Sequence, residues 1–387
     1  MTKRQIILLL LTSSIFAFNA LPAHARITVY QEGEKFFAVG GLIQVQYHLV
    51  DPSQGESTDE LFFRRLQPFI EGTLHENWLG RFQIDFGNAK DTNEVAISDA
   101  YMRYSGLSPF RVTVGNLKFP FSREILSSSS QRQLVENSFS GNRNYGTPAR
   151  NMGVHLTGGF NADYFTWGAS LASAVLEPDV TRIRFGSPAN GGSDFNEGPM
   201  LGGRIDWHPL GYMNFNQGAF GEEARLTIGL AAYTWNNDGD NNTFTDSTGS
   251  STSQTRADVD KVTGFEVGGA YKGGNVYVDA EYNIFSADTV DNSFTGGIFV
   301  NGGTDLTNWF VRGGYMVIPS KLDLVLAYQQ QDSNGYDSGW GRTSIGSNWY
   351  IRGQDIKLQL TYQIGANING IDGSDQNDLY LQAQYVF

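Results

Sequence analysis

Between Lys118 and Arg150 the chain places Lys118, Arg123, Arg132, Arg143 and Arg150 against only Glu124 and Glu136. This is a local excess of three positive charges in a chain whose formal net charge is −13. The same stretch is rich in Ser and Asn, with Ser127 to Ser130 in a row. Guanidinium and ammonium groups so spaced can replace part of an anion's hydration shell, while hydroxyls and amides add neutral hydrogen bonds. The same arginines can equally pair with carboxylates or with lipopolysaccharide phosphates.

Other chemistry finds little support. His48, His75, His155 and His208 are too scattered for metal-ligand spacing, so neither a metal nor another cofactor is expected. Acidic loop positions at Asp238 and Asp240, and along Asp372 to Asp378, lack the spacing of a calcium loop and read as solvated. Cysteine is absent, which removes disulfides and thiolate chemistry together. No Gly-x-Ser-x-Gly elbow occurs, and an outer-membrane lipid hydrolase would need a Ser and a His facing each other near the lipid boundary. The acidic balance disfavours nucleic-acid binding.

The elements that must hold the basic stretch alternate with period two. In Asn275 to Asn283, Val276, Val278, Ala280 and Tyr282 share one side, and Tyr277, Asp279, Glu281 and Asn283 the other. At the end of the chain Leu379, Leu381, Ala383, Tyr385 and Phe387 alternate with Tyr380, Gln382 and Gln384, the pattern of a strand with one face in lipid. About sixteen such strands can be counted, beginning near Phe36, Leu61, Asn77, Val95, Pro109, Asn151, Ala162, Gly198, Glu223, Val262, Asn275, Asn308, Lys321, Thr343, Asp355 and Asp378. Short turns alternate with long polar connections, as in a barrel with periplasmic turns and extracellular loops. One turn, Gly211 to Glu222, is longer than that rule predicts.

Lys3 and Arg4, the apolar run from Ile6 to Ala17 and the Ala23-His24-Ala25 site predict a signal peptide over 1–25, removed on export. Its loss takes Lys3 and Arg4 away and the formal charge from −13 to −15. Residues 26–387 then read as an all-β, transmembrane antiparallel barrel in the outer membrane of a Gram-negative cell. No run of 18 apolar residues follows to make a helical span. Aromatic residues at strand ends (Trp78, Tyr104, Trp207, Trp235, Trp309 and Trp349) suit lipid-headgroup girdles. A loop over 120–149 can fold inward as a constriction. Strand parity turns Arg65, Arg81, Arg103 and Arg204 into the lumen, together with Glu71, Asp85, Asp99, Asp206, Asp279, Glu281 and Asp323. It leaves Arg64 ambiguous unless a bulge re-aims it.

Several segments in order resemble the phosphate-selective porin O and P family: GGLIQVQY from Gly40, FFRRLQPFIEG from Phe62, WLGRFQIDFG from Trp78, ISDAYMRY from Ile97, VGNLKFPFSRE from Val114, SSSSQRQLVENSF followed by PARNMGV, and the closing LQAQYVF. The resemblance is dense from about Gly40 to Phe160 and clear again at the C terminus. It implies a sixteen-stranded barrel, a homotrimer, and passive diffusion of small anions, phosphate or polyphosphate among them. It also puts the paired arginines of the FRR motif, here Arg64 and Arg65, along the pore. The expected anion-contacting set is Arg64, Arg65, Arg81, Arg103, Lys118, Arg123, Arg132, Arg143 and Arg150, with no catalytic residue. A general-diffusion porin with weak ion preference is the alternative on the same fold.

Overall fold

Alternating side chains oblige each strand to present one face to lipid and the other to the lumen, and only a closed sheet then leaves no unpaired edge in the hydrocarbon layer. The computed structural model describes residues 26–87, 95–160, 164–177, 179–190, 196–239 and 257–387. The expected signal peptide and Asp240 lie outside the described residues. Among the described residues eighteen strands form one sheet. They are β1 (Ile27–Glu32), β2 (Lys35–Pro52), β3 (Thr58–His75), β4 (Trp78–Asp85), β5 (Ala96–Leu107), β6 (Phe110–Lys118), β7 (Arg150–Phe160), β8 (Phe165–Leu176) and β9 (Phe185–Gly186). The second half is β10 (Glu197–Trp207), β11 (Glu222–Asn236), β12 (Val259–Gly274), β13 (Val276–Thr289), β14 (Gly303–Ile318), β15 (Leu322–Ser333), β16 (Trp340–Arg352), β17 (Ile356–Ala366) and β18 (Gln376–Val386).

Every neighbouring pair is antiparallel, β8 pairs directly with β10, and β18 pairs with β2 from Gln376↔Pro52 to Val386↔Leu42. With the short β1 and β9 set aside, these pairings close a sixteen-stranded barrel. The expected strand starts match within a few residues. The largest shift is at β14, which begins at Gly303 rather than Asn308, because its first residues, Gly303 to Asp305, are polar or small yet still pair with β13. The two faces also match: Val276, Val278 and Tyr282 are exposed while Tyr277, Asp279, Glu281 and Asn283 are buried. Trp78 packs at a tilt on Tyr104 with centroids 4.9 Å apart, and Trp309 on Tyr328 at 5.4 Å, both on the outer surface. Trp235 departs from the girdle. It shares inward parity with Ala231 and Tyr233, is fully buried, and its indole N–H donates to Ala174 O at 3.0 Å.

Residues 119–149, between β6 and β7, run inside the barrel. Their first turn docks on β12 and β13, where Ser122 Oγ donates to Glu281 at 2.7 Å. Further along, Gln133 Nε2 donates to Asp323 on β15, Val135 N to Thr361 on β17 and Phe139 N to Gln329 on β15. Phe119 and Phe121 join an apolar cluster with Tyr233, Phe285, Ile183 and Phe299, which fills the long-loop end of the β8–β14 half.

The closing seam is tight. Gly41 N donates to Phe387 O at 2.8 Å, and a Cβ on Gly40 would lie 2.6 Å from that same backbone oxygen. Gly40→Val is therefore expected to destabilise closure by about 1–3 kcal/mol, seen as a smaller folded, heat-modifiable band in gel electrophoresis.

Candidate functional site: the lumenal charges

Ionised side chains in a low-dielectric wall persist only where an opposite charge and hydrogen bonds compensate them. The lumen shows two populations. On the β10–β15 wall, Arg204 Nη2 meets Asp206 at 2.8 Å and its Nη1 meets Glu266 at 2.7 Å, all three at most 3% exposed. Arg312 Nη1 meets Glu124 of the inward loop at 2.7 Å while its Nε donates to Asp279 at 2.9 Å, and these side chains are at most 1% exposed. Asp323 accepts from Gln133, Asn348 and Tyr350. The inward loop thus covers Asp206, Asp279, Glu281 and Asp323, four of the seven carboxylates that parity sends inward. Arg312, which sequence reading passed over, is the loop's main anchor. Its signal was an arginine at inward parity in the otherwise apolar VRGGYMV of β14.

The opposite wall, β2 to β7, keeps its inward charges only half-buried. Arg64 is the extra residue of a β-bulge, since Gln44 pairs with Arg65 and Val45 with Phe63, so both arginines turn inward. Arg64 Nε donates to Glu136 of the loop at 3.0 Å and stays 34% exposed, and Arg65 Nη1 donates to Gln44 Oε1 at 2.7 Å. Arg150 Nε donates to Asp99 at 2.7 Å and is 29% exposed. Arg81 lies between Glu71, at 2.7 Å, and Asp99, at 3.5 Å, with its guanidinium over the Phe69 ring. Arg103 Nε donates to Thr113 Oγ1 at 3.2 Å. Lys118 Nζ donates to Ser127 O at 2.6 Å and so ties the inward loop to this wall. A cavity of about 680 Å³ lies here, lined by Arg81, Asp99, Lys118 and Arg150 from the wall, Ser128 to Ser130 from the loop, and Asn214 to Asn216 from the turn after β10.

The nine expected residues therefore divide. Arg64, Arg65, Arg81, Arg103, Lys118 and Arg150 share the β2–β7 wall, and Arg143 is exposed on the loop beyond them. Arg123 does not join them: it is 1% exposed, and its Nη2 donates to Asn214 O at 2.9 Å. Arg132 is also buried, with Nη1 on Asn137 Oδ1, and burial lowers its guanidinium to about 10 against the opposing pull of Glu124. Burial would raise the Glu136 carboxyl, but the Arg64 guanidinium beside it holds it down at about 2.

The model of the phosphate-selective porin O and P family matches residues 37–387. No curated relative matches the chain. Among solved structures, the outer membrane channel DcaP of Acinetobacter baumannii aligns at 16% identity over 92% of this chain and 99% of that one, with a TM-score of 0.59. OmpT of Vibrio cholerae, in a trimer form, aligns at 15% identity over 91% and 99%, with a TM-score of 0.55. OmpF of Salmonella typhi, in complex with daunomycin, aligns at 13% identity over 93% and 100%, with a TM-score of 0.59. At these identities the structures share the barrel fold. The family match spans nearly the whole described barrel, and the chain belongs to the phosphate-selective porin O and P family of outer-membrane porins.

Proposed function

We propose that this porin passes small anions, phosphate among them, by passive diffusion along its β2–β7 wall. The observation that carries this reading is the segregation of lumenal charge: the inward loop covers the carboxylates of the β10–β15 wall and leaves Arg81, Lys118 and Arg150 lining the cavity, with Arg64 and Arg65 half-buried on the same wall. Several fixed cations in a narrow low-dielectric passage raise the local anion concentration, and the loop sets its width. The assembly is a homotrimer in the outer membrane, in contact with lipid and lipopolysaccharide, and reached through a cleaved signal peptide. The trimer form of the OmpT neighbour supports that state.

Weak ion preference has one observation in its favour, the carboxylates of Glu71 and Asp99 that remain on the basic wall. A lipid hydrolase has less. His155 Nδ1 does face Ser170 Oγ at 2.6 Å, but the pair points inward, is at most 3% exposed, and leaves His155 Nε2 without a partner among the described residues.

Purified protein in planar bilayers under a potassium chloride gradient is expected to give an anion-selective reversal potential, with chloride conductance reduced by added phosphate. A cation-selective potential would overturn the reading. Arg65→Ala is expected to lower the anion-to-cation permeability ratio roughly threefold.

Glu136 supplies the pH test. Its folded pKa lies below the ordinary carboxylate value, so the Arg64–Glu136 pair is complete above that value and is lost only as pH falls through about 2. Glu136→Gln is therefore expected to raise anion preference at pH 7, whereas acidifying the natural protein to about pH 4 leaves this pair ionised.

A further inference from the structure

The turn after β10, residues 208–221, enters the lumen from the short-turn end. Glycines in left-handed conformation make the reversal possible, with φ at +88° for Gly211 and +86° for Gly218. One side of the turn is apolar: Met213 and Ala219 pack on Ala270 and Tyr277, inward residues of β12 and β13. Gln217 joins it to the inward loop by both backbone and side chain, since Gln217 N donates to Gln131 O at 3.1 Å and Gln133 N to Gln217 Oε1 at 2.9 Å. Phe215 lies between two guanidinium groups, 5.3 Å from Arg123 and 5.7 Å from Arg204. Arg204 also donates to Phe121 O, so the ring is pinned by the residues that hold the base of the loop.

The turn divides the lumen at this end. On the basic side is the cavity of about 680 Å³, and on the other a space of about 160 Å³, edged by the Lys272–Glu222 pair and Gln354. Asn214 and Asn216 reach both. We infer that this turn is a second constriction in series with the inward loop, that it steers solutes onto the basic wall, and that Asn216 sets part of its width. Neutral amides here donate hydrogen bonds to a passing anion without holding it by charge.

The inference rests on the porin reading and not on the sign of selectivity, because its main readout is conductance. The chain has no cysteine, so Asn216→Cys and Phe220→Cys each introduce a single thiol, the first beside the large cavity and the second beside the small one alone. Each full-length variant is treated with a sulfonate-bearing thiol reagent, labelling is followed by mass spectrometry, and single channels are recorded in bilayers. Labelled Asn216→Cys is expected to conduct about half as well as before and to shift its reversal potential toward cations, while labelled Phe220→Cys keeps both values. Failure of Asn216→Cys to label, complete labelling there without change, or an equal block at Phe220→Cys overturns the inference.

Discussion

Arg312 and Glu124 hold the interior together. Neither charge is stable alone at such depth, and removal of one partner from a buried pair costs about 3–5 kcal/mol because the other is left uncompensated. The pair joins the first helical turn of the inward loop, Arg123–Leu126, to the middle of β14, and Asp279 completes the neutralisation. Ser122 caps that turn by accepting from Ile125 N while its hydroxyl reaches Glu281. Secondary structure, loop position and charge balance thus meet at one place in the wall.

This docking changes what a passing ion encounters. By parity alone the lumen is mixed, with acids and bases facing one another. Once the loop covers Asp206, Asp279, Glu281 and Asp323, those charges are spent on holding the protein's own groups. The wall that remains in contact with water carries arginines whose partners, Glu71, Asp99 and Glu136, neutralise only part of their charge. Selectivity in such a channel depends less on which residues point inward than on which ones the loop leaves uncovered.

Much of the barrel was legible because strand parity is a local property. The alternation from Val276 to Asn283 fixes both faces of β13 without reference to any other strand, and the Arg64–Arg65 pair needed only a bulge to send both inward. Burial of Arg123 and Arg132 was not legible. Both sit in a basic loop whose arginines can equally face the channel or a protein partner, and their orientation depends on Asn214, on the turn after β10, and on Asn137 of the loop itself. The unusual length of the turn before β11 was visible, but its inward course depends on Met213 and Ala219 finding Ala270 and Tyr277 on the neighbouring strands β12 and β13. Trp235 was within reach of the sequence, since its parity with Ala231 and Tyr233 already sends it inward; closeness to a strand end alone suggested the membrane surface.

The span of these contacts along the chain bears on assembly. Val135 bonds Thr361 across 226 positions, and Glu124 reaches Arg312 across 188. Such non-local pairings form late, after the entropy of closing long intervening segments has been met. The loop emerges in the first half of the chain, yet β12 to β17, which bond much of its length, come after it, and β18 joins β2 only when the whole chain is present. A nascent or partly zipped sheet would expose its carboxylates and lack a defined passage. A defined passage is therefore acquired at the end of maturation, which makes conductance a sensitive indicator that a barrel has reached its finished form.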